Sequence, residues 1–142
     1  MTLVDLRPGL KAYLLADSAV SAAVGGARIY PLQLPQDVTQ PSIVYQRVSG
    51  QGSHHMQGPS SLTRPRLQID CWADNPDDAA ALADLVKVRL DGFRGTIPYG
   101  SDSPQATVNV QGVFFEDERD LFDAATTLYR TSRDYFFWFD ER

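Results

Sequence analysis

The sequence predicts an α+β fold: a mostly antiparallel sheet with N-terminal helices and one main helix, about residues 75–91, packed on it. Three observations predict it. Residues 66–72 alternate, with Leu67, Ile69 and Cys71 on one side and Arg66, Gln68, Asp70 and Trp72 on the other, as in a strand with one buried face. The period then changes, and Ala79, Leu82, Ala83, Val86 and Leu90 form one apolar stripe at helical spacing. The remaining strand candidates follow one another through loops, which favours antiparallel neighbours and leaves the main helix to cover one face of the sheet.

The elements follow in order. Residues 2–16 read as a helix with Leu3, Leu6, Leu10, Tyr13 and Leu14 on one face. Pro8 falls inside the pattern, so the helix either starts there or is kinked. Asp17-Ser18 starts a short second helix, and Gly25-Gly26 ends it. Arg28 to Pro31 reads as a short strand or an extended lead-in, and Leu32 to Gln40 as a connecting loop. Pro41 suits the start of the next strand, Ile43 to Val48, because it cannot donate to a ladder. Ser49 to Ser61 is polar, Gly-rich and without periodicity, and reads as a long hairpin loop. The switch to the main helix falls at Asn75-Pro76-Asp77-Asp78. Asn75 can cap, Pro76 lacks an N–H that would be orphaned anyway, and two carboxylates face the positive helix end. Gly92 closes the helix, with Lys87 and Arg89 near its negative end.

Beyond the helix, residues 93–97 extend into a short strand, and Pro98 to Gln105 reads as a loop tip. Ala106 to Phe115 alternates, with Val108, Val110 and Phe114 on one face and Val113 and Phe115 on the other. Glu116-Asp117-Glu118-Arg119-Asp120 reads as a charged turn with Leu121-Phe122 as its apolar foot. Thr127 to Phe139 is the most aromatic strand candidate.

The chain of 142 residues fits a single domain, 1–142. Its hydrophobic fraction of 43% is enough for one core and argues against disorder. A net charge of -5 argues against broad binding to nucleic acid or anionic membrane, which needs clustered Lys and Arg. No stretch approaches the ~18 apolar residues of a membrane span. The start lacks the basic-then-apolar order of a signal peptide, so the expectation is a soluble protein made in the cytoplasm. One cysteine, Cys71, rules out an internal disulfide framework, and its place on the apolar strand face predicts a buried, inert thiol.

Chemical motifs are weak. His54-His55 lacks further metal ligands at fitting spacing, since Asp70 and Cys71 point to opposite strand faces. Asp117, Asp120 and Asp123 fit a solvated turn better than a Mg2+ site. Ser18, Ser60 and Ser61 have no histidine at a readable spacing, which leaves nucleophilic catalysis unsupported. Gly50-Gln51-Gly52 opens onto no helix, so it is no phosphate loop. The aromatic run Tyr135 to Phe139 lacks interleaved basic residues and reads as packing rather than as a base-stacking platform. No catalytic residue, cofactor site or metal site is assigned.

The ordered set of pieces resembles a family, the tail-completion proteins of long-tailed bacteriophages, also called tail terminators or tail-to-head joining proteins. The pieces are Arg28-Ile29-Tyr30-Pro31 after a short helical region, Pro41 to Tyr45, the Gly-rich loop ending in Gly58-Pro59, and Arg66 to Trp72. They continue with the helix ending Val88 to Gly95, then Glu118-Arg119-Asp120-Leu121 and the Tyr129 to Trp138 strand. The resemblance spans nearly the whole chain; residues 99–105 match nothing in it. It implies a non-enzymatic virion protein of the tail or neck, assembled as a ring, usually of six, on the head-proximal end of the tail tube. Its implied partners are other copies of itself, the tail tube protein and the head-tail connector or head-closure protein. DNA would pass through the channel without specific binding, and no membrane is involved.

On that reading the subunit-interface candidates are the charged groups on predicted strands and loops: Arg47, His54, His55, Arg64, Arg66, Asp70, Arg130, Arg133 and Asp134, with Glu116, Asp117, Glu118, Arg119 and Asp120. The arginines would pair across the interface with Asp70, Asp134 or the 116–120 segment; plain surface salt bridges are the alternative. Charge reversal at Arg66 would then leave the subunit folded and abolish assembly. Two rival functions stand beside this one: another neck, connector or tail-tube component, and a small cytosolic α+β ligand-binding domain or enzyme. A closed pocket with convergent polar groups would favour the latter.

Overall fold

The computed structural model describes residues 6–50, 52–55, 58–98 and 107–140, with the side chains of residues 8, 52–55, 58–61 and 98 outside that description. Its elements are α1 (Arg7–Leu15), α2 (Ser18–Ala23), β1 (Ile29–Pro31), β2 (Ser42–Ser49), β3 (Gly52–His55), β4 (Gly58–Thr63), β5 (Arg66–Ala73), α3 (Pro76–Leu90), β6 (Gly95–Pro98), β7 (Thr107–Asp123) and β8 (Leu128–Asp140). The fold is α+β, as the sequence predicts, with every strand pair antiparallel except β1 on β2.

The helices begin where their capping residues allow. Pro8 lies in the first turn of α1, where its missing N–H costs nothing, so the helix starts there rather than bending. Residues 2–5 of the predicted helix lie outside the described residues. Asp17 caps α2 by accepting from the Ala19 amide at 3.3 Å, and Gly25 and Gly26 follow with φ of 61° and 82°. Asn75 caps α3 by accepting from the Asp78 amide at 2.8 Å. Gly92 leaves α3 at φ 79°, a left-handed turn that lets its amide donate to the Val113 carbonyl at 2.9 Å and ties the helix end to β7.

Two long hairpins build the sheet. In the first, β2 pairs with β5 from Ser42↔Trp72 to Ser49↔Arg66, and its outer half, β3 with β4, runs out to His55↔Gly58. The second joins β7 to β8 from Val110↔Phe139 to Asp123↔Leu128. β8 lies at the centre: β7 runs along one edge, while β5 and then β4 share the other. β6 adds to the start of β7, from Pro98↔Thr107 to Gly95↔Val110.

All three helices pack into one core with one face of this sheet. Leu82, Ala83, Val86 and Leu90 of α3 meet Leu67, Ile69 and Cys71 of β5 and Tyr135 and Phe137 of β8; Leu10 and Leu14 of α1, with Leu6 just before it, join the same cluster. Each large aliphatic or aromatic side chain so buried contributes roughly 1.5–3 kcal/mol.

Three readings of the sequence are corrected. Ser49 to Ser61 is not an open loop, because Ser49 ends β2 and most of its other described residues form β3 and β4, which pair with each other. Glu116 to Asp120 is not a turn but the middle of the 17-residue β7; the turn lies at residues 124–127. The faces of β7 also differ from strict alternation. A bulge between Val110 and Gly112 resets the parity, so Val113 is buried and Phe115 packs on the core, while Phe114 is 54% exposed. A second bulge between Phe115 and Asp117 resets it again. The predicted loop tip at Pro98 to Gln105 falls almost wholly outside the described residues.

Candidate functional site

The face of the sheet turned away from the helices carries the polar chemistry. β5 contributes Arg66, Gln68, Asp70 and Trp72, the residues that alternation sets opposite Leu67, Ile69 and Cys71. β8 adds Arg130, Ser132, Asp134, Phe136 and Trp138, and β7 adds Asp117 and Arg119 after its second bulge.

Asp134 is the hub. It is 3% exposed and accepts from Arg66 Nε at 3.0 Å and Nη2 at 2.6 Å. Its other oxygen accepts from Arg119 Nη2 at 3.3 Å. Arg119 also donates to Ser132 Oγ at 3.1 Å and Gln68 Oε1 at 3.3 Å, and pairs with Asp117 at 3.3 Å. The hydrogen bond to Asp134 raises the Arg119 pKa above its ordinary value, with the charges of Asp134, Asp117 and Asp70 acting in the same direction. Gln68 donates to Asp70, which is 3% exposed and meets Arg130 at 3.5 Å. Two buried carboxylates are thus tolerated on a face that no described helix covers, because arginines roof them.

The roofing arginines lie on aromatic rings. Arg64 stacks over Trp138 at 5.2 Å, Arg66 over Phe136 at 5.7 Å, and Arg130 over Trp72 at 5.2 Å. Three donors in this layer, Arg64 Nε, Trp72 Nε1 and Arg130 Nε, are buried and meet no acceptor among the described residues. Beside Trp72 and Arg130 the 32–40 loop stands off the sheet and leaves an open groove of about 1120 Å³, lined also by Val44, Gln46 and Asp70.

On the helix side, Arg133 joins three elements. It meets Asp84 of α3 and Glu118 of β7, each at 2.9 Å. Burial works against its charge, but the Asp84 hydrogen bond and both carboxylates outweigh it, and its pKa is raised. Asp120 accepts from Thr131 Oγ1 at 3.0 Å. Cys71 is buried, and burial, with Asp70 nearby, pushes its thiol pKa far up, as an inert core thiol requires.

The predicted site residues therefore fall into groups. Arg66, Asp70, Arg119, Arg130 and Asp134, with Asp117, come together in one network. Glu118 and Arg133 pair on the opposite face. Arg66, Arg130 and Arg133 meet carboxylates within one chain, while Arg47 and Arg64 meet none among the described residues. Arg66→Glu would set a carboxylate against buried Asp134, so it is expected to destabilise the subunit as well as any assembly. Arg47 and Glu116 are exposed and outside the network. The side chains of His54 and His55 lie outside the described residues. Among the described residues no three His, Cys, Asp or Glu side chains converge as metal ligands, and no helix is long and apolar enough to cross a membrane. Sequence reasoning missed the groove, the aromatic floor under the arginines, and the role of Gln68. An arginine and an aromatic at alternate or facing strand positions (Arg130 opposite Trp72, Arg66 opposite Phe136) was the signal available for the floor.

The fold has a counterpart among solved structures. A chain in the virion of a native gene transfer agent particle superposes with a TM-score of 0.70 at 15% identity, covering 92% of this chain and 94% of that one. At that identity the likeness is one of fold. No curated protein matches the sequence significantly. The family model described as tail completion protein gp17 matches residues 8–140, nearly the whole chain. The chain therefore belongs to the tail completion protein gp17 family, and it is a tail structural protein.

Proposed function

We propose that this chain ends the growth of a phage tail tube as a hexameric ring at its head-proximal end and presents the surface to which the head connector docks. The family match over residues 8–140 carries the reading. The sheet supports it: one face is consumed by the helices, and the other is a layer of charge and aromatics with buried donors still lacking acceptors. Such a layer suits contact with protein, whose carbonyls and carboxylates supply acceptors. The groove is open rather than enclosed, unlike the pocket a small-molecule enzyme needs. The role is structural, and the partners are further copies of the chain, the tail tube protein and the head-closure protein. The net charge of -5 suits a channel that DNA crosses without adhering.

Deletion of the gene in the producing phage or phage-like element, followed by electron microscopy of lysates, tests this. Full heads beside unattached, overlong tails are the expected result. Tails of normal length that lack heads would move the protein to another neck position. Normal particles would remove the reading.

A further inference from the structure

The two hairpins leave two strand edges open, and the two are opposite in charge. On β7, Thr107–Val110 pairs with β6, the Val113 carbonyl accepts from Gly92, and the Phe115 amide donates to Asp91 Oδ1 at 3.1 Å. From Glu116 to Asp123 the outer edge has no backbone partner among the described residues, although the inner edge is paired with β8 from Asp117 to Asp123. That edge carries five carboxylates, Glu116, Asp117, Glu118, Asp120 and Asp123, against one arginine, and exposes Leu121 and Phe122.

The second edge runs along the first hairpin. β1 covers β2 only through Tyr45. From Gln46 to Ser49, and again over β3, the outer edge has no backbone partner among the described residues. Residues 46–49 and 52–55 on this arm edge contain one arginine, two histidines and no carboxylate, while Arg64 and Arg66 follow on the inner side of the hairpin. Arg66 is already neutralised by Asp134, but Arg47 and Arg64 meet no carboxylate among the described residues. Val48 on this edge is 51% exposed.

We propose that the Glu116–Asp123 edge of β7 receives, by strand addition, the outer edge of β2 and β3 (46–49 and 52–55) of a second copy of this chain. This rests on the ring reading above and gives it a contact. An open edge of eight residues spans roughly 26 Å, and its free backbone donors and acceptors are a template for another strand. Two β7 edges cannot pair with each other, because their carboxylates would face like charge. The carboxylate-free arm is the complementary edge on the same molecule. Its pairing is head-to-tail, one patch against a different patch, and that is the kind of contact that closes into a ring when the rotation allows.

Cysteine cross-linking in assembled tails tests it. Ser53→Cys on the arm and Leu121→Cys on β7 are combined in one chain, with Ser53→Cys and Glu116→Cys as a second pair, and tails are treated with a short flexible bis-maleimide. Native Cys71 is buried and does not compete. Within one chain the reagent cannot join Ser53 to Leu121. Gly52 leads through Thr63 and Phe139 to Val110, and the residues from there to Leu121 span roughly 36 Å of strand. A ladder of linked subunits from the double variants, absent from each single variant, is the expected result. Tails that incorporate the protein in normal amount but yield no ladder from either pair overturn the arm-to-edge contact and leave the ring reading standing. Tails of normal length that contain none of the protein overturn both.

Discussion

Removal of the Asp134 carboxylate tests whether the uncovered face is held together from inside the subunit. Asp134→Ala leaves Arg66 and Arg119 without their shared acceptor, and Arg66 loses contacts at 2.6 and 3.0 Å. Breaking a buried charge pair from one side costs about 3–5 kcal/mol when the stranded charge stays dry. Here the side chains of Arg66 and Arg119 are 29% and 38% exposed and can turn to water, so the expected cost is about 2–3 kcal/mol. Arg66→Ala is milder, about 1 kcal/mol, because Asp134 keeps Arg119. Urea unfolding followed by tryptophan fluorescence measures both, with an unchanged m-value showing that only stability moved. In a chain of this size the Asp134→Ala loss lowers Tm by about 6–12 °C. The double variant should cost about 1 kcal/mol less than the sum of the singles, because the removed groups bond to each other. An Asp134→Ala protein within about 0.5 kcal/mol of the parent, with additive singles, would refute the idea that this network shapes the face.

Four further outcomes follow from the core and the caps. Leu82→Ala should cost about 3 kcal/mol by urea unfolding, since Leu82 is 2% exposed and packs in the main cluster. Asn75→Ala should cost about 1 kcal/mol in the same assay through loss of the bond from the Asp78 amide, and Asn75→Asp much less. Native Cys71 should resist alkylation at pH 8 and react once urea unfolds the chain. Burial raises the Cys71 thiol above its ordinary 9.0 and the Tyr135 phenol above its ordinary 10.0, so the folded state holds protons that the unfolded state releases. Their stabilisation is therefore complete below about pH 9 and declines as pH rises beyond it. The urea midpoint should fall above pH 9, and Cys71→Ala should move the onset of that fall toward pH 10.

The strand–helix unit from Arg66 to Gly92 was readable because each local signal agreed with the tertiary result. Alternation matched a sheet with one covered face, and the capping residues matched the helix ends. The same rules failed at Glu116–Asp120. A run of charges reads as solvent-exposed turn when its neighbours in space are unknown. Here the partner strand supplies Arg133 and Thr131, and Arg119 of the run itself reaches Asp134. Ser49 to Ser61 failed for a related reason. Gly, Ser, His and Pro are poor strand formers, and only the pairing of β3 with β4 makes strands of them. Gly112 was the one local warning on β7, since glycine inside a strand pattern marks a bulge, and the parity change there moved Phe114 from the predicted core to the surface.

The arginines carry the sharpest lesson about assembly. The sequence suggests pairing across an interface with Asp70, Asp134 and the acidic run, whereas Arg66, Arg130 and Arg133 pair with Asp134, Asp70 and Glu118 inside one chain. A charge already matched by a buried carboxylate has little left to offer a neighbour beyond its position. What is left unmatched among the described residues is of another kind: backbone groups on two strand edges, the buried donors of Arg64, Trp72 and Arg130, and exposed Phe114, Leu121 and Phe122. In the proposed ring, recognition between copies is therefore expected to depend on edges and apolar contact, with the acidic run and the carboxylate-free arm selecting which edge meets which. Charge substitution inside the network would then weaken the subunit first, whereas substitution at Arg47 or Glu116, both exposed and outside it, would weaken assembly and leave the unfolding midpoint unchanged. Equal effects of the two sets on stability would show that no such division exists.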